Sequence, residues 1–269
     1  MTFLELYLLT FPILLIFLSL MWVISVFLKD VSIIDLVWGM TFVVAAWAHY
    51  ALTPGGYGGR KLLITAMFTL WGFRLSFYLT WRKIVQHRGE DYRYARMREG
   101  VGKRYWLVSL FSVFWSQGVV AGILSGVSAA AQYSPLPAAI TLFDLAGALL
   151  WGVGFYFESV SDLQLARFKN DPANKGKVLN SGLWGLSRHP NYFGNSAMWW
   201  GYWLVAVSVP FGLLTVFAPI LMTWLLLRVS GVAMLERDIK DRRPEYADYI
   251  RTVPAFAPRL FNPFAWRKG

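Results

Sequence analysis

The residues of this chain best suited to hold a charged small molecule are two carboxylates four positions apart, Glu158 and Asp162, and the later run Ser187-Arg188-His189-Pro190-Asn191-Tyr192. On a helix, that spacing puts both acids on one face, where carboxylates accept hydrogen bonds from ribose hydroxyls. Arg188 offers a planar fork matching phosphate oxygens. Pro190 fits a first helical turn, where its missing N–H is no loss, and the free amides beyond it can meet an anion. Two further charges, Asp35 and Arg74, interrupt otherwise apolar runs. An ionisable group costs about 2.5–3.5 kcal/mol at a membrane-helix centre, so each needs an inward partner, either on another helix or in a site.

Other chemistries are poorly supplied. The chain has no cysteine, and His49, His87 and His189 lie in different segments at no metal-ligand spacing. Structural zinc, thiol catalysis and disulfides are therefore not expected, and no metal is assigned. No serine sits in a G-x-S-x-G elbow. The glycines at 55–59 lack the G-x-G-x-x-G spacing and read as a flexible outer turn, so a nucleotide has to be held without a Rossmann domain. The basic residues form no stripe on a soluble module, which argues against nucleic acid.

The elements that position these groups follow from composition. Of 269 residues 57% are hydrophobic and only 15% charged, with 14 Trp and 20 Phe, more apolar surface than a soluble fold can cover. An all-α polytopic membrane protein is expected, built as a single integral domain over 1–269. Seven apolar runs, at 3–28, 33–52, 62–81, 106–131, 138–165, 194–209 and 211–235, match the ~20 residues of a spanning helix, the sixth being short. The first carries Glu5 and lacks a basic flank, so it reads as a retained span. Val209-Pro210-Phe211 makes the last two a tight hairpin. Lys and Arg collect in alternate joints: Lys29, then Arg82 to Arg104, then Arg167 to Arg188, then everything from Arg228 onward, against only Arg60 and Lys61 opposite. The positive-inside rule then puts the N-terminus outside and the C-terminus in the cytosol.

The segment 157–261 resembles the C-terminal catalytic domain of the steroid 5α-reductase family, and the whole chain is similar to its bacterial members. The likeness rests on Asp162, Gly182-Leu183-Trp184, Asn191-Tyr192-Phe193-Gly194, Trp199, Arg228 and the closing stretch from Tyr246, with weaker likeness at Trp71 to Tyr78 and Arg88-Gly89. It implies a multi-pass protein of the bacterial inner membrane that uses NADPH to saturate a carbon–carbon double bond conjugated to a ketone, most simply the 4,5 bond of a 3-keto-4-ene steroid or another enone lipid. It implies cofactor contacts from Arg74, Tyr78, Arg88, Glu158, Asp162, Lys169, Arg188, His189, Asn191, Tyr192, Asn195, Trp199, Arg228, Glu236 and Tyr246. The family's ketone-polarising Glu and Tyr align with Asp35 and Trp71, which become the catalytic candidates. Asp keeps the acid with a shorter reach, and Trp donates a hydrogen bond but no phenolic proton. A histidine and a tyrosine of the family are replaced around Val232 and Glu236.

The R-H-P-x-Y run, with Glu236-Arg237 and Tyr246-x-x-Tyr249 after it, also resembles membrane methyltransferases of the isoprenylcysteine carboxyl type, which bind S-adenosylmethionine and have fewer spans.

Overall fold

The computed structural model describes residues 1–85, 89–229 and 245–261. Arg88, Val232 and Glu236, three of the positions singled out above, lie outside the described residues. Every regular element among the described residues is helical. The chain divides into two compact units, Met1–Leu145 with Val205–Ala218, and Ala146–Leu204 with Pro219–Gly269.

The first unit contains α1 (Phe3–Leu28), α2 (Ile33–Leu52), α3 (Gly58–Val85) and α4 (Tyr92–Val101). From α4 a helical run continues to Tyr133 through α5 (Tyr105–Ser109), a π-helical stretch (Leu110–Trp115), α6 (Ser116–Leu124) and α7 (Gly126–Tyr133). Thr2 opens α1 with a capping box: its hydroxyl accepts from the Glu5 N–H while the Glu5 carboxylate accepts from the Thr2 N–H. α2 and α3 approach backbone to backbone at two glycines, since a Cβ on Gly39 would lie 2.7 Å from the Gly72 carbonyl oxygen. Small residues at such contacts let membrane helices pack closely. Phe42, Phe68 and Trp71 fill the adjoining layer, all three buried.

Several polar side chains inside this unit are paired. His49 is fully buried between the Thr10 hydroxyl of α1 at 2.8 Å and the Ser128 hydroxyl of α7 at 3.1 Å. Gln132 extends the chain by donating to Ser128 Oγ and accepting from Thr65. Arg60 and Asp144, each with a fully buried side chain, form a two-pronged ion pair at 2.8 and 3.1 Å, and the same guanidinium donates to the Pro137 and Ala139 carbonyls. Lys61 donates to the Thr53 carbonyl at 2.6 Å. The glycine turn between α2 and α3 is anchored where a loose turn was expected: Tyr57 donates its N–H to the Ser134 carbonyl, and a Cβ on Gly56 would collide with the Gln132 carbonyl at 2.0 Å.

The second unit is built on α8 (Leu142–Asn170) and α9 (Pro190–Val207), whose first and last residues respectively belong to the first unit. They are antiparallel and touch at glycines. A Cβ on Gly194 would sit 2.5 Å from both the Gly154 carbonyl oxygen and the Glu158 nitrogen, and one on Gly201 would sit 2.7 Å from the Gly147 carbonyl oxygen. α9 opens at Pro190, as its fixed φ and absent N–H favour. α9 turns at Phe211, which adopts φ 64°, into a 3-10 stretch (Gly212–Val216), α10 (Phe217–Trp224) and π-helical Leu225–Val229. The close approach of Gly212 to the Ala206 carbonyl, 1.6 Å from where a Cβ would stand, fits the tight hairpin expected there. α11 (Glu245–Thr252) packs Tyr246, Tyr249 and Val253 against Val178 and Ile250.

Among the described residues five helical segments are long and apolar enough to cross a membrane: Phe3–Leu28, Ile33–Leu52, Gly58–Val85, Tyr92–Tyr133 and Gly212–Val229. They correspond to five of the seven apolar runs. Helices also form at the other two, but α8 carries Asp144, Glu158 and Asp162, while α9 has 18 residues and carries Asn191, Asn195 and Ser196.

Candidate active site

In the second unit the glycine contact sets the spacing of α8 and α9 so that their polar side chains meet in pairs. Asn195 Nδ2 donates to Glu158 Oε2 at 3.1 Å, and Asn191 Nδ2 donates to Asp162 Oδ1 at 3.3 Å. Both acids are buried, one helical turn apart on one face of α8. The Asn195 carboxamide is only half used: its Oδ1 is buried and meets no hydrogen-bond donor. A buried acceptor left unmatched costs about 1–3 kcal/mol, which a ligand hydroxyl or amide would recover. His189 is buried and lies parallel to the Tyr192 ring, with centroids 5.5 Å apart. Trp199 is fully buried one helical turn beyond Asn195.

Arg188 is placed differently from a phosphate fork on a loop. Its buried guanidinium donates to the Ile250 and Val253 carbonyls at 3.0 and 2.6 Å, at the C-terminal end of α11 where carbonyls lack helical partners. Its N–H donates to the Pro254 carbonyl, and Ser187 Oγ donates to the Phe256 carbonyl at 2.7 Å. Tyr249 closes the same clasp by donating to the Trp184 carbonyl at 2.6 Å. Tyr246 belongs to the small core around Val178, and Lys169 and Arg228 are exposed near the ends of their helices.

In the first unit Asp35 opens α2 and joins a set of donors from α4. Arg93 Nη2 donates to Asp35 Oδ2 at 2.7 Å, and the Tyr94 hydroxyl donates to Oδ1 at 2.8 Å. Arg93 Nε also donates to Asp91 at 2.9 Å. Asp35 borders a cavity of about 430 Å³ with Ser32, Leu36, Leu79, Arg82 and Glu90 among its walls. Beside it Lys83 donates to both Asp30 and the Ser32 hydroxyl. Burial pushes the Asp30 carboxyl up, but the Lys83 and Ser32 hydrogen bonds outweigh it and leave the group below its ordinary range. Trp71 packs on Phe42, seven residues along α2 from Asp35, which is about 10 Å at 1.5 Å per residue. The Arg74 guanidinium lies 5.4 Å from the Tyr78 ring centroid and that of Arg82 lies 5.5 Å from it.

The structure therefore gathers Glu158, Asp162, Asn191 and Asn195 in one unit and surrounds Asp35 in the other. Arg93 and Tyr94 were not singled out by the sequence as site residues, and Tyr249 only as part of the Tyr-x-x-Tyr likeness. The first two stand 58 and 59 residues from Asp35, and only the Asp91-x-Arg93-Tyr94 cluster of charge and phenol hinted at them. Among the described residues no three His, Cys, Asp or Glu side chains gather as metal ligands.

A family model described as protein of unknown function, DUF1295, matches residues 21–253. The chain belongs to that family. Over 90% of its length it is 29% identical to an uncharacterized protein of Schizosaccharomyces pombe, C594.04c, covering 76% of that protein. A stretch of 46 residues is 44% identical to a probable O-methyltransferase, ustE, of Ustilaginoidea virens, covering 17% of this chain and 16% of that protein. No solved structure matches the chain.

Proposed function

We propose that this DUF1295 protein is an NADPH-dependent membrane reductase that saturates the carbon–carbon double bond of an enone lipid, with a 3-keto-4-ene steroid as the simplest substrate. The observation that carries the reading is the paired acids and amides of α8 and α9, with the buried, unmatched Asn195 Oδ1 among them. The carboxylate and amide oxygens there can accept from the hydroxyls and amide of a nucleotide cofactor. Glu158, Asp162, Asn191 and Asn195 would hold its sugar or amide groups, Tyr192 a ring, and Lys169 and Arg228 its phosphates. NADPH supplies a hydride when bound. Family membership is compatible with such an enzyme.

The donors around Asp35, in the other unit, are of the kind that meet negative charge developing on a substrate oxygen. The Arg93 Nη1 group suits this role, since Nε and Nη2 are given to Asp91 and Asp35, while the Tyr94 phenol spends its one proton on Asp35 and holds that carboxylate against Arg93. In this reading seven helices span the membrane with the N-terminus outside, which puts α4 and its basic neighbours in the cytosol. A specific observation favours a second reading, S-adenosylmethionine-dependent methyl transfer: the 46-residue likeness to a probable O-methyltransferase. Loss of NADPH absorbance in the presence of a 3-keto-4-ene steroid tests the first reading. Turnover that falls about 100-fold or more in Arg93→Gln supports it, as removal of one oxyanion donor does elsewhere. Methyl transfer from S-adenosylmethionine to a lipid acceptor, without NADPH consumption, would replace it.

A further inference from the structure

A second cavity, of about 340 Å³, lies where α1 ends and the α4–α5 segment crosses it, bordered by Ser25, Lys29, Arg98, Lys103, Tyr105 and Trp106. We propose that it binds the phosphate of an anionic lipid headgroup, a site separate from the reductase chemistry above.

Part of its lining is the Tyr105 side chain, which is 2% exposed and whose hydroxyl has no hydrogen-bond partner. A buried O–H donor without an acceptor calls for one, and a phosphate oxygen is the acceptor its neighbours would attract. Lys29 and Lys103 stand at the rim, and no carboxylate among the described residues pairs with either. The acids that could have neutralised them are occupied: Asp30 by Lys83 and Ser32, and Glu90 by both guanidinium arms of Arg98. Arg98 also fixes the rim. Its Nη2 donates to the Lys29 carbonyl at 3.2 Å, and its guanidinium carbon lies 4.8 Å from the Tyr105 ring centroid.

The surroundings select a lipid over free phosphate. The cavity opens at the end of an apolar helix whose Val26, Phe27 and Leu28 are exposed, as acyl chains require. Trp106, itself half exposed, stacks on Trp22 with centroids 6.1 Å apart, in the position aromatic residues take at a membrane interface. Basic pockets between helices at the cytoplasmic surface suit lipid phosphates.

Native mass spectrometry of the full-length protein, released from nanodiscs that mix phosphatidylglycerol with phosphatidylcholine, tests the proposal. One phosphatidylglycerol should be retained in preference to phosphatidylcholine. Tyr105→Phe, which keeps the ring and removes only the hydroxyl, should lower that retention about 10-fold, the worth of a hydrogen bond to a charged group. Lys29→Gln with Lys103→Gln should abolish the preference, with unchanged melting temperatures showing that the variants fold. General attraction of lipid to basic residues would weaken in the lysine variants but not in Tyr105→Phe, and that pattern overturns a built site. Equal protection of the protein in pure phosphatidylcholine by inorganic phosphate would overturn the choice of a lipid.

Discussion

Asp35 shows how a membrane helix carries a charge: it meets an arginine and a phenol brought from α4, so its two carboxylate oxygens are both engaged. Removing one side of such a set leaves the other uncompensated. Asp35→Ala should therefore lower both turnover and the melting temperature, whereas Asp35→Asn, which still hydrogen-bonds but cannot pair with Arg93, should retain more of both. Equal, full activity in the two variants, read by NADPH consumption, would remove Asp35 from the reaction. The neighbouring Asp30 gives a pH test. Its folded carboxyl lies below its ordinary value of 3.8, so the stability it contributes is present above that value and is lost as pH falls through the folded one. Melting temperature measured from neutral pH into this acid range should fall less in Asp30→Asn than in the parent. At this scale the sequence showed that Asp35, Glu158 and Asp162 interrupt apolar runs but not what they meet, and it missed the burial of Arg60 and Asp144. Asp35, Arg93 and Tyr94, or Arg60 and Asp144 at a separation of 84, are tied by packing and not by helical spacing.

Helix pairs in this protein are set by glycines, and the contact of α8 with α9 also determines whether Asn191 and Asn195 reach the two acids. Gly194→Ala places a methyl against the Glu158 nitrogen and the Gly154 carbonyl, neither of which can yield without shifting a helix. We expect it to destabilise by about 1–3 kcal/mol and to weaken cofactor binding. Gly152→Ala is the matched control, because nothing lies within 4 Å of its new methyl. It should be neutral or stabilise by up to about 1 kcal/mol, the helix propensity gain. The buried Arg60–Asp144 pair offers a larger effect: Arg60→Ala should cost about 3–5 kcal/mol, part of which Asp144→Leu added to Arg60→Met should return. Denaturation followed by tryptophan fluorescence distinguishes these magnitudes. The start of α9 was legible in advance, since Pro190 fixes it locally. The pairing of Arg188 with the α11 carbonyls was not, because those carbonyls are set by tertiary packing.

For the whole molecule, helical class and membrane character follow directly from long apolar runs, whereas the number of crossings does not. α8 and α9 are helices where spans were expected, yet the polar groups that make them a candidate site are also what lower their apolar character. Sidedness is testable with cysteines at Gly55 and Gly100, both exposed with open space around the new side chain, in a chain that has no native cysteine. Impermeant reagent should reach Gly55→Cys from outside and Gly100→Cys only from the cytosolic side. Labelling of both from one side would reject the orientation. The central claim, that the α8–α9 amides and acids hold NADPH, is tested most directly by melting the purified protein with NADPH and, separately, with S-adenosylmethionine. A ligand that binds only the folded state at 100 times its Kd stabilises it by about 2.7 kcal/mol. NADPH should raise the melting temperature in the parent and much less in Asn195→Ala, while S-adenosylmethionine leaves both unchanged. A rise with S-adenosylmethionine alone, or no rise with either ligand, would contradict the account.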